Sequence, residues 1–201
     1  VSARRAHCFR TNVERLTSIP VVSQFHTTGL VIWLTGLPAS GKTTLAAQIE
    51  QRLLMLGRNV IRIDGDILRK GLCSDLGFFP RDRTENIRRA AEVGRLIADA
   101  GQICVAALIS PMISDRRLAR DLIGEGRFVE VYLATPVRIC RERDDKGNYV
   151  RADRGEIAEF TGVTAPYEAP PEPTVVVNPH LESVEVTTDR VLQYLAMGNI
   201  H

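Results

Sequence analysis

The sequence predicts an α/β fold, a three-layer arrangement in which a five-stranded, mostly parallel sheet carries helices on both faces. Three observations carry that reading. Short apolar runs alternate along the chain with segments whose apolar residues recur every three or four positions, a glycine-rich stretch joins the first run to the first such segment, and the second run closes on a pair of carboxylates. A regular alternation of strand and helix patterns buries a parallel sheet between helical layers.

The first run, Leu30, Val31, Ile32, Trp33 and Leu34, is bounded by glycine and reads as a fully buried strand. Over residues 43–56, Leu45, Ile49, Leu53 and Leu56 fall on one face of a helix, and Gly57 supplies its stop. The second strand covers 60–63. A helix over 86–99 ends at Gly101; a strand over 103–109, a short helix over 115–122 and a strand over 128–133 follow. Pro136 suits the first turn of a helix that runs to about residue 143, since its fixed φ is already helical and its missing N–H has no partner to lose there. Residues 175–177 give the last strand and 184–196 the last helix.

Two segments depart from the alternation. Residues 1–29 carry Arg4, Arg5, Arg10 and Arg15 against one acid, Glu14, with no apolar period; they read as an N-terminal extension or linker, and their composition leaves an organellar transit segment open. Within the remaining domain, 30–201, residues 144–173 hold Gly147, Gly155, Gly162, Pro166, Pro170, Pro171 and Pro173 and read as a long irregular segment. Tyr149, Phe160 and Tyr167 are large apolar groups that a free linker has no use for, so this segment is expected to be a lid.

A chain of 201 residues, 44% apolar and 25% charged, can bury a core unaided, which excludes collagen-like, low-complexity and disordered classes. Its 26 basic against 24 acidic side chains lack the basic excess that sequence-independent binding of nucleic acid requires. Cys8, Cys73, Cys104 and Cys140 make no CxxC pair, so neither a disulfide framework nor a zinc site is expected. The longest apolar run, 103–109, is too short to cross a bilayer. The expectation is a cytoplasmic protein without a nucleic-acid or membrane partner.

Chemistry concentrates in Gly36-Leu37-Pro38-Ala39-Ser40-Gly41-Lys42-Thr43, which satisfies GxxxxGK[ST] in the strand–turn–helix setting that this loop needs. The fold is thereby expected to be of the P-loop NTPase type. Gly36 and Gly41 let the backbone of Leu37, Pro38, Ala39 and Ser40 wrap close to phosphate, and the unpaired N–H groups of the helix start, through Thr44, point at the anion. Lys42 adds a point charge for the β- and γ-phosphates. The Thr43 hydroxyl suits Mg²⁺, which keeps most of its water and bridges phosphate oxygens, so the expected ligand is a nucleoside triphosphate with magnesium. Asp64 and Asp66 stand at the carboxyl edge of the second strand, where open α/β sheets bind ligands; one acid can position or deprotonate a hydroxyl while the other orients metal-bound water. Arg69, Arg83, Arg88 and Arg89 follow with Phe78, Phe79 and Asn86 among them, guanidinium groups for an anionic substrate and rings for a base.

From about Val31 to Pro173 the chain resembles the adenylylsulfate (adenosine 5′-phosphosulfate, APS) kinases, through GLPASGKTT, DGDILRKGL, DLGF, DRTENIRRAAEVGRLIADAG, ISP, FVEVYLATPVRICRERD, KGNY and EFTGVTAPYEAPPEP. Many kinases share the phosphate loop; DGDxxRxGL, DLGF, ENIRR and FTGxxxPYEAP in this order are specific to this family. The resemblance implies transfer of the ATP γ-phosphoryl group, with Mg²⁺, to the ribose 3′-hydroxyl of APS, giving 3′-phosphoadenosine 5′-phosphosulfate and ADP. It assigns Arg69 and Arg83 to the phosphosulfate end, Asn86 to the nucleotide, Phe78 and Phe160 to opposite faces of its adenine, and Ile109 and Lys146 to the same substrate site. Asp64 then orients the acceptor hydroxyl, and Asp66 stands with Thr43 at magnesium. Ser110 aligns with a serine described in the family as a phosphoserine intermediate. A loose phosphoryl-transfer transition state needs alignment and charge neutralisation more than a nucleophile, so Ser110 is expected to touch substrate without a covalent role. A homodimer is also implied, and fusion to or association with an ATP sulfurylase is left open.

The chain departs from the family after Lys146-Gly147-Asn148-Tyr149, where Lys-Lys-Ala-Arg is usual and Val150-Arg151-Ala152-Asp153 stands, with Arg154 next. Ile67 replaces a usual asparagine and Met112 a usual aromatic. Two other readings stay open: a different small-molecule P-loop kinase with a metabolite alcohol as acceptor, and a catalytically weak nucleotide-binding or regulatory domain of a larger sulfate-activation protein. A GTPase is disfavoured, because no [NT]KxD guanine signature occurs.

Overall fold

A strand that is apolar at every position needs cover on both faces, and the run beginning at Leu30 finds it at the middle of the sheet. The computed structural model describes residues 29–197; Arg4, Arg5, Arg10, Arg15 and Cys8, in the segment expected to be an extension or linker, fall among residues 1–28, which with 198–201 lie outside the described residues. In chain order the elements are β1 (Leu30–Thr35), α1 (Lys42–Met55), β2 (Val60–Asp64), α2 (Gly65–Leu68), α3 (Pro80–Asp99), β3 (Ile103–Ala107), α4 (Ile113–Ile123), a 3₁₀ turn (Glu125–Arg127), β4 (Phe128–Leu133), α5 (Val137–Glu142), α6 (Asn148–Asp153), β5 (Val175–Val177) and α7 (Val184–Ala196). The sheet runs β2-β3-β1-β4-β5 with every pairing parallel. The three-layer P-loop arrangement is therefore present, and its sheet is parallel throughout.

Alternation along β1 sorts the two cores. Leu30, Ile32 and Leu34 pack with Leu45, Ile49 and Leu53 of α1 and with Val191 and Leu195 of α7. Val31 and Trp33 point to the other face, against Ile87, Ala90 and Ala91 of α3 and Ala119 and Ile123 of α4. Because the chain leaves β1 for β2, returns through β3 and then crosses to β4, the strand order reverses at β1. The carboxyl end of β1 is thus the crevice where open α/β sheets take their ligands.

Local differences from the sequence expectation have physical causes. α3 begins at Pro80 rather than at 86, with the proline in its first turn and Asp82 there to complement the helix dipole. β3 stops at Ala107, short of 109, and Ser110, at φ 39°, turns the chain out of the sheet direction. The segment 144–173 is less irregular than expected. It contains α6, and a tight loop in which the Phe160 carbonyl accepts from the N–H groups of Val163, Thr164 and Ala165.

One buried ion pair ties the site side of the sheet together. Arg116 and Glu130 are 3% and 5% exposed, with Nε and Oε1 2.9 Å apart. The rest of the guanidinium donates to the carbonyls of Ser110 and Glu168, each at 2.7 Å. Removing one partner of such a pair leaves a buried charge uncompensated, so Glu130→Ala should cost about 3–5 kcal/mol in denaturant-unfolding free energy. A loss below about 1 kcal/mol would show that water reaches Arg116 easily. No helix among the described residues is long and apolar enough to cross a membrane.

Candidate active site

The loop between β1 and α1 is shaped to offer N–H groups and to keep its carbonyls occupied elsewhere. Gly41 caps α1 in the left-handed region, at φ 101°, and α1 has neither a side-chain cap nor an acidic residue in its first turn. Its leading N–H groups are left for an anion. At Gly36 a Cβ would come within 2.9 Å of Ser40 Oγ and 3.0 Å of the Leu133 carbonyl, so the turn closes only without a side chain. Lys42 Nζ donates to the carbonyls of Gly36 (2.9 Å) and Leu37 (2.6 Å) and to Ser40 Oγ (3.3 Å). Thr135 Oγ1 holds the Ser40 carbonyl at 3.0 Å, and the Tyr149 hydroxyl holds that of Pro38 at 3.1 Å. Burial lowers the Lys42 pKa to about 8, against opposing fields from Cys140, Asp64 and Asp66.

A cavity of 470 Å³ opens over Ala39, Ser40, Gly41, Lys42, Thr43 and Thr44 and is also lined by Arg143, Pro179 and Glu182. Arg143 is fixed there by a 2.9 Å bond from Nη2 to the Pro179 carbonyl. Sequence reasoning missed these three residues, since nothing in their spacing announces that the end of α5, with Arg143, and the β5–α7 loop, with Pro179 and Glu182, meet at the phosphate loop.

The two acids part company. Asp64, 8% exposed, accepts from Thr43 Oγ1 at 2.9 Å through Oδ2 and caps α2 by accepting the Asp66 N–H at 2.9 Å through Oδ1. Asp66 is exposed and pairs with Lys146 of the lid at 2.7 Å. The structure therefore joins Thr43 to Asp64, and Asp66 to Lys146.

The arginines also divide. Arg88 and Arg89 are consumed by ion pairs, the first with Glu85 and the second with Asp75 and Glu85. Arg69 and Arg83, among the described residues, have no carboxylate partner within bonding distance. Arg69 donates to the carbonyls of Leu76 and Gly77 and lies over the Phe78 ring at 4.3 Å. Arg83 donates to the Phe78 carbonyl (2.7 Å), to Thr161 Oγ1 (2.8 Å) and to the Glu159 carbonyl, thereby tying the Phe78 segment to the loop that carries Phe160. Partial burial lowers both guanidinium pKa values, and at Arg83 the neighbouring Arg69 adds repulsion. Asp82 and Asp66 act on Arg69, and Glu159 and Asp115 on Arg83, only from beyond bonding distance, so two half-buried cations side by side keep room for an anion. Phe78 is 58% exposed, an open ring beside them, while Asn86 is 4% exposed with its Oδ1 buried and unpartnered among the described residues.

Ser110 is 2% exposed, and its hydroxyl accepts from Trp33 Nε1 at 3.1 Å. The Ile109 carbonyl accepts from Thr35 Oγ1 at 2.8 Å. Both residues are thus engaged by β1. The end of the 144–173 segment locks onto the same turn: the Tyr167 hydroxyl meets Thr35 Oγ1 at 3.0 Å, and Glu168 bonds the Pro111 carbonyl through its N–H and the Ile113 N–H through Oε2. The unusual lid residues fall outside these contacts. Val150 is 52% exposed, and Asp153 makes a two-pronged ion pair with Arg141.

A glycine-rich anion loop at the switch point of a parallel sheet, with a carboxylate on its threonine, defines a P-loop phosphotransferase of the small-molecule kinase class. The family model described as adenylylsulphate kinase matches residues 28–178, and the chain belongs to the adenylylsulphate kinase family. The adenylyl-sulfate kinase of Clostridium acetobutylicum is 48% identical over 172 residues, 86% of this chain and 86% of that one. That of Paraburkholderia xenovorans is 49% identical over 173 residues, 86% of this chain and 96% of the other. Among solved structures, the APS kinase of Mycobacterium tuberculosis in complex with AMPPNP and APS superposes with a TM-score of 0.81 at 40% identity, covering 84% of this chain and 98% of that one. A gluconokinase from Sinorhizobium meliloti, TM-score 0.57 at 17% identity, shares the fold alone.

Proposed function

We propose that this chain transfers the γ-phosphoryl group of ATP to the 3′-hydroxyl of adenosine 5′-phosphosulfate, giving 3′-phosphoadenosine 5′-phosphosulfate and ADP. The observation that carries the choice of acceptor is the pair Arg69–Arg83, two half-buried guanidinium groups that, among the described residues, pair directly with no carboxylate and lie beside an open phenylalanine ring. An anion with a stackable base answers both features; a neutral sugar alcohol answers neither.

The loop N–H groups and Lys42 hold the triphosphate, with the base in the cavity beside Arg143 and Pro179. Lys42 must turn from the Gly36 and Leu37 carbonyls to the phosphates, so its resting bonds keep the loop formed until substrate replaces them. The Thr43 hydroxyl and the Asp64 carboxylate are hard oxygen donors at a helix N-terminus and fit magnesium, which needs few protein ligands when phosphate and water supply the rest. When bound, the ion neutralises charge on the β- and γ-phosphates. Thr43 and Asp64 would hold it, in place of the Thr43–Asp66 pair expected from the resemblance. On the acceptor side, Arg69 and Arg83 take the phosphosulfate, Asn86 Oδ1 takes a donor of the nucleotide, and Phe78 and Phe160 flank its base. Asp64 also orients the 3′-hydroxyl toward the γ-phosphate. Ser110 acts from beneath: with its hydroxyl on Trp33, it supports the turn that shapes the acceptor floor.

Release of ADP measured with APS, AMP and a panel of sugar alcohols tests this reading. Turnover with APS should exceed that with AMP, which lacks the sulfate, by about 100-fold, the scale of a lost charge-assisted contact pair. Equal ADP release with a sugar alcohol would move the chain to another acceptor.

A further inference from the structure

Tyr149 is a lid residue that behaves as core, at 1% exposure. Its hydroxyl donates to the Pro38 carbonyl in the phosphate loop at 3.1 Å. Its ring meets Phe160 edge-on, with centroids 4.9 Å apart and planes at 81°. Behind the ring lies the Arg141 guanidinium, 5.2 Å from the centroid and itself locked to Asp153. The phenol pKa is raised by burial, so the group stays a donor across the physiological range. The lid touches the phosphate loop at a second point: a Cβ on Gly162, which sits at φ +88°, would fall 2.8 Å from Leu37 Cδ2. Leu37 and Pro38 thus bear the lid, and Leu37 also offers the carbonyl that Lys42 must release when a triphosphate arrives.

We propose that Tyr149 is a positioning residue that joins the two nucleotide sites: its hydroxyl fixes the lid to the phosphate loop while its ring fixes Phe160, so filling the triphosphate site sets one wall of the acceptor site. This rests on the proposed function. Tyr149 touches no reacting atom; it acts through Pro38 on one side and Phe160 on the other. A tyrosine that merely filled the core would stabilise the fold without linking the two affinities. The linkage is reciprocal, because each ligand changes the other's affinity by the same factor.

Calorimetric titration of APS, alone and with saturating AMPPNP, on the wild-type chain and on Tyr149→Phe tests it. AMPPNP should tighten APS binding by about tenfold in the wild type, within the usual range of coupling between sites. In Tyr149→Phe, which keeps the ring, the tightening should fall below about threefold while affinity for APS alone stays within about twofold. Undiminished tightening in the variant overturns the proposal, as does an equal loss of APS affinity in both conditions together with a lower Tm. Leu37→Ala, which removes the side chain under Gly162 and leaves Tyr149 in place, is the second arm. It too should weaken the tightening, and no change there overturns the coupling through the loop even if Tyr149→Phe does not fold. A wild-type chain that binds both nucleotides with no mutual effect sinks this inference alone; one that binds neither sinks the proposed function.

Discussion

Lys42→Ala is expected to weaken ATP binding about 100-fold and to lower turnover by at least as much, from the loss of two charge-assisted contacts to phosphate worth roughly 1.5 kcal/mol each. The loop itself adds a second cost. Without the ammonium group, the Gly36 and Leu37 carbonyls lose their donor, and the loop loses the bonds that keep it formed before substrate enters. The same residue sets a pH dependence. Burial holds its pKa near 8, so the charge is largely present below that pH and largely lost above it. The terminal phosphate has finished ionising by then, its second pKa being about 6. ATP affinity should therefore stand near its plateau at about pH 7, be roughly halved by about pH 8 and fall further above, with proton uptake on binding near pH 8.5 in calorimetry across buffers of different ionisation enthalpy. The alanine variant should lose both the uptake and the decline. If it binds ATP as tightly as the wild type, the phosphate-loop assignment is wrong.

Which features could be read in the sequence depends on whether their signal is local. The run Leu30 to Leu34 announces a central strand because burial on both faces demands an unbroken apolar run, and the phosphate loop is contiguous, so its residues, spacing and setting appear together. The start of α3 is different. Arg81 to Glu85 are all polar, so an apolar period cannot detect this end of the helix; Pro80 was the available signal. In α6 the only period is Tyr149 and Ala152, too short to count. The overshoot of β3 has the same root, since Leu108 and Ile109 are as apolar as the strand but Ser110 has already begun the turn. Contacts between distant segments left no local trace at all. Arg143 with Pro179, Tyr149 with Pro38 and Arg83 with the Phe160 loop each follow from strand order, which composition and period do not encode. The division between Asp64 and Asp66 is of this kind, because Lys146 lies 80 positions from Asp66 along the chain and meets it only through the fold.

That division carries the other large effect. Asp64→Asn should lower kcat by roughly 10³-fold while leaving ATP affinity within about tenfold, the pattern of a group whose worth lies in aligning the transferred phosphoryl and its acceptor. The amide can still cap α2 through its oxygen, but its NH₂ would face the Thr43 hydroxyl, which must reverse its own bond, and the negative charge beside the metal position is gone. Asp66→Asn provides the contrast. Its carboxylate is exposed and paired with an equally exposed Lys146, an arrangement worth at most about 1 kcal/mol, so turnover should drop by no more than about tenfold. Steady-state kinetics of the two variants with APS and ATP decide between the acids: if Asp66→Asn proves the more damaging, the bond from Thr43 to Asp64 belongs to a resting arrangement, and the metal and the acceptor hydroxyl must be given back to Asp66 after Lys146 lets it go.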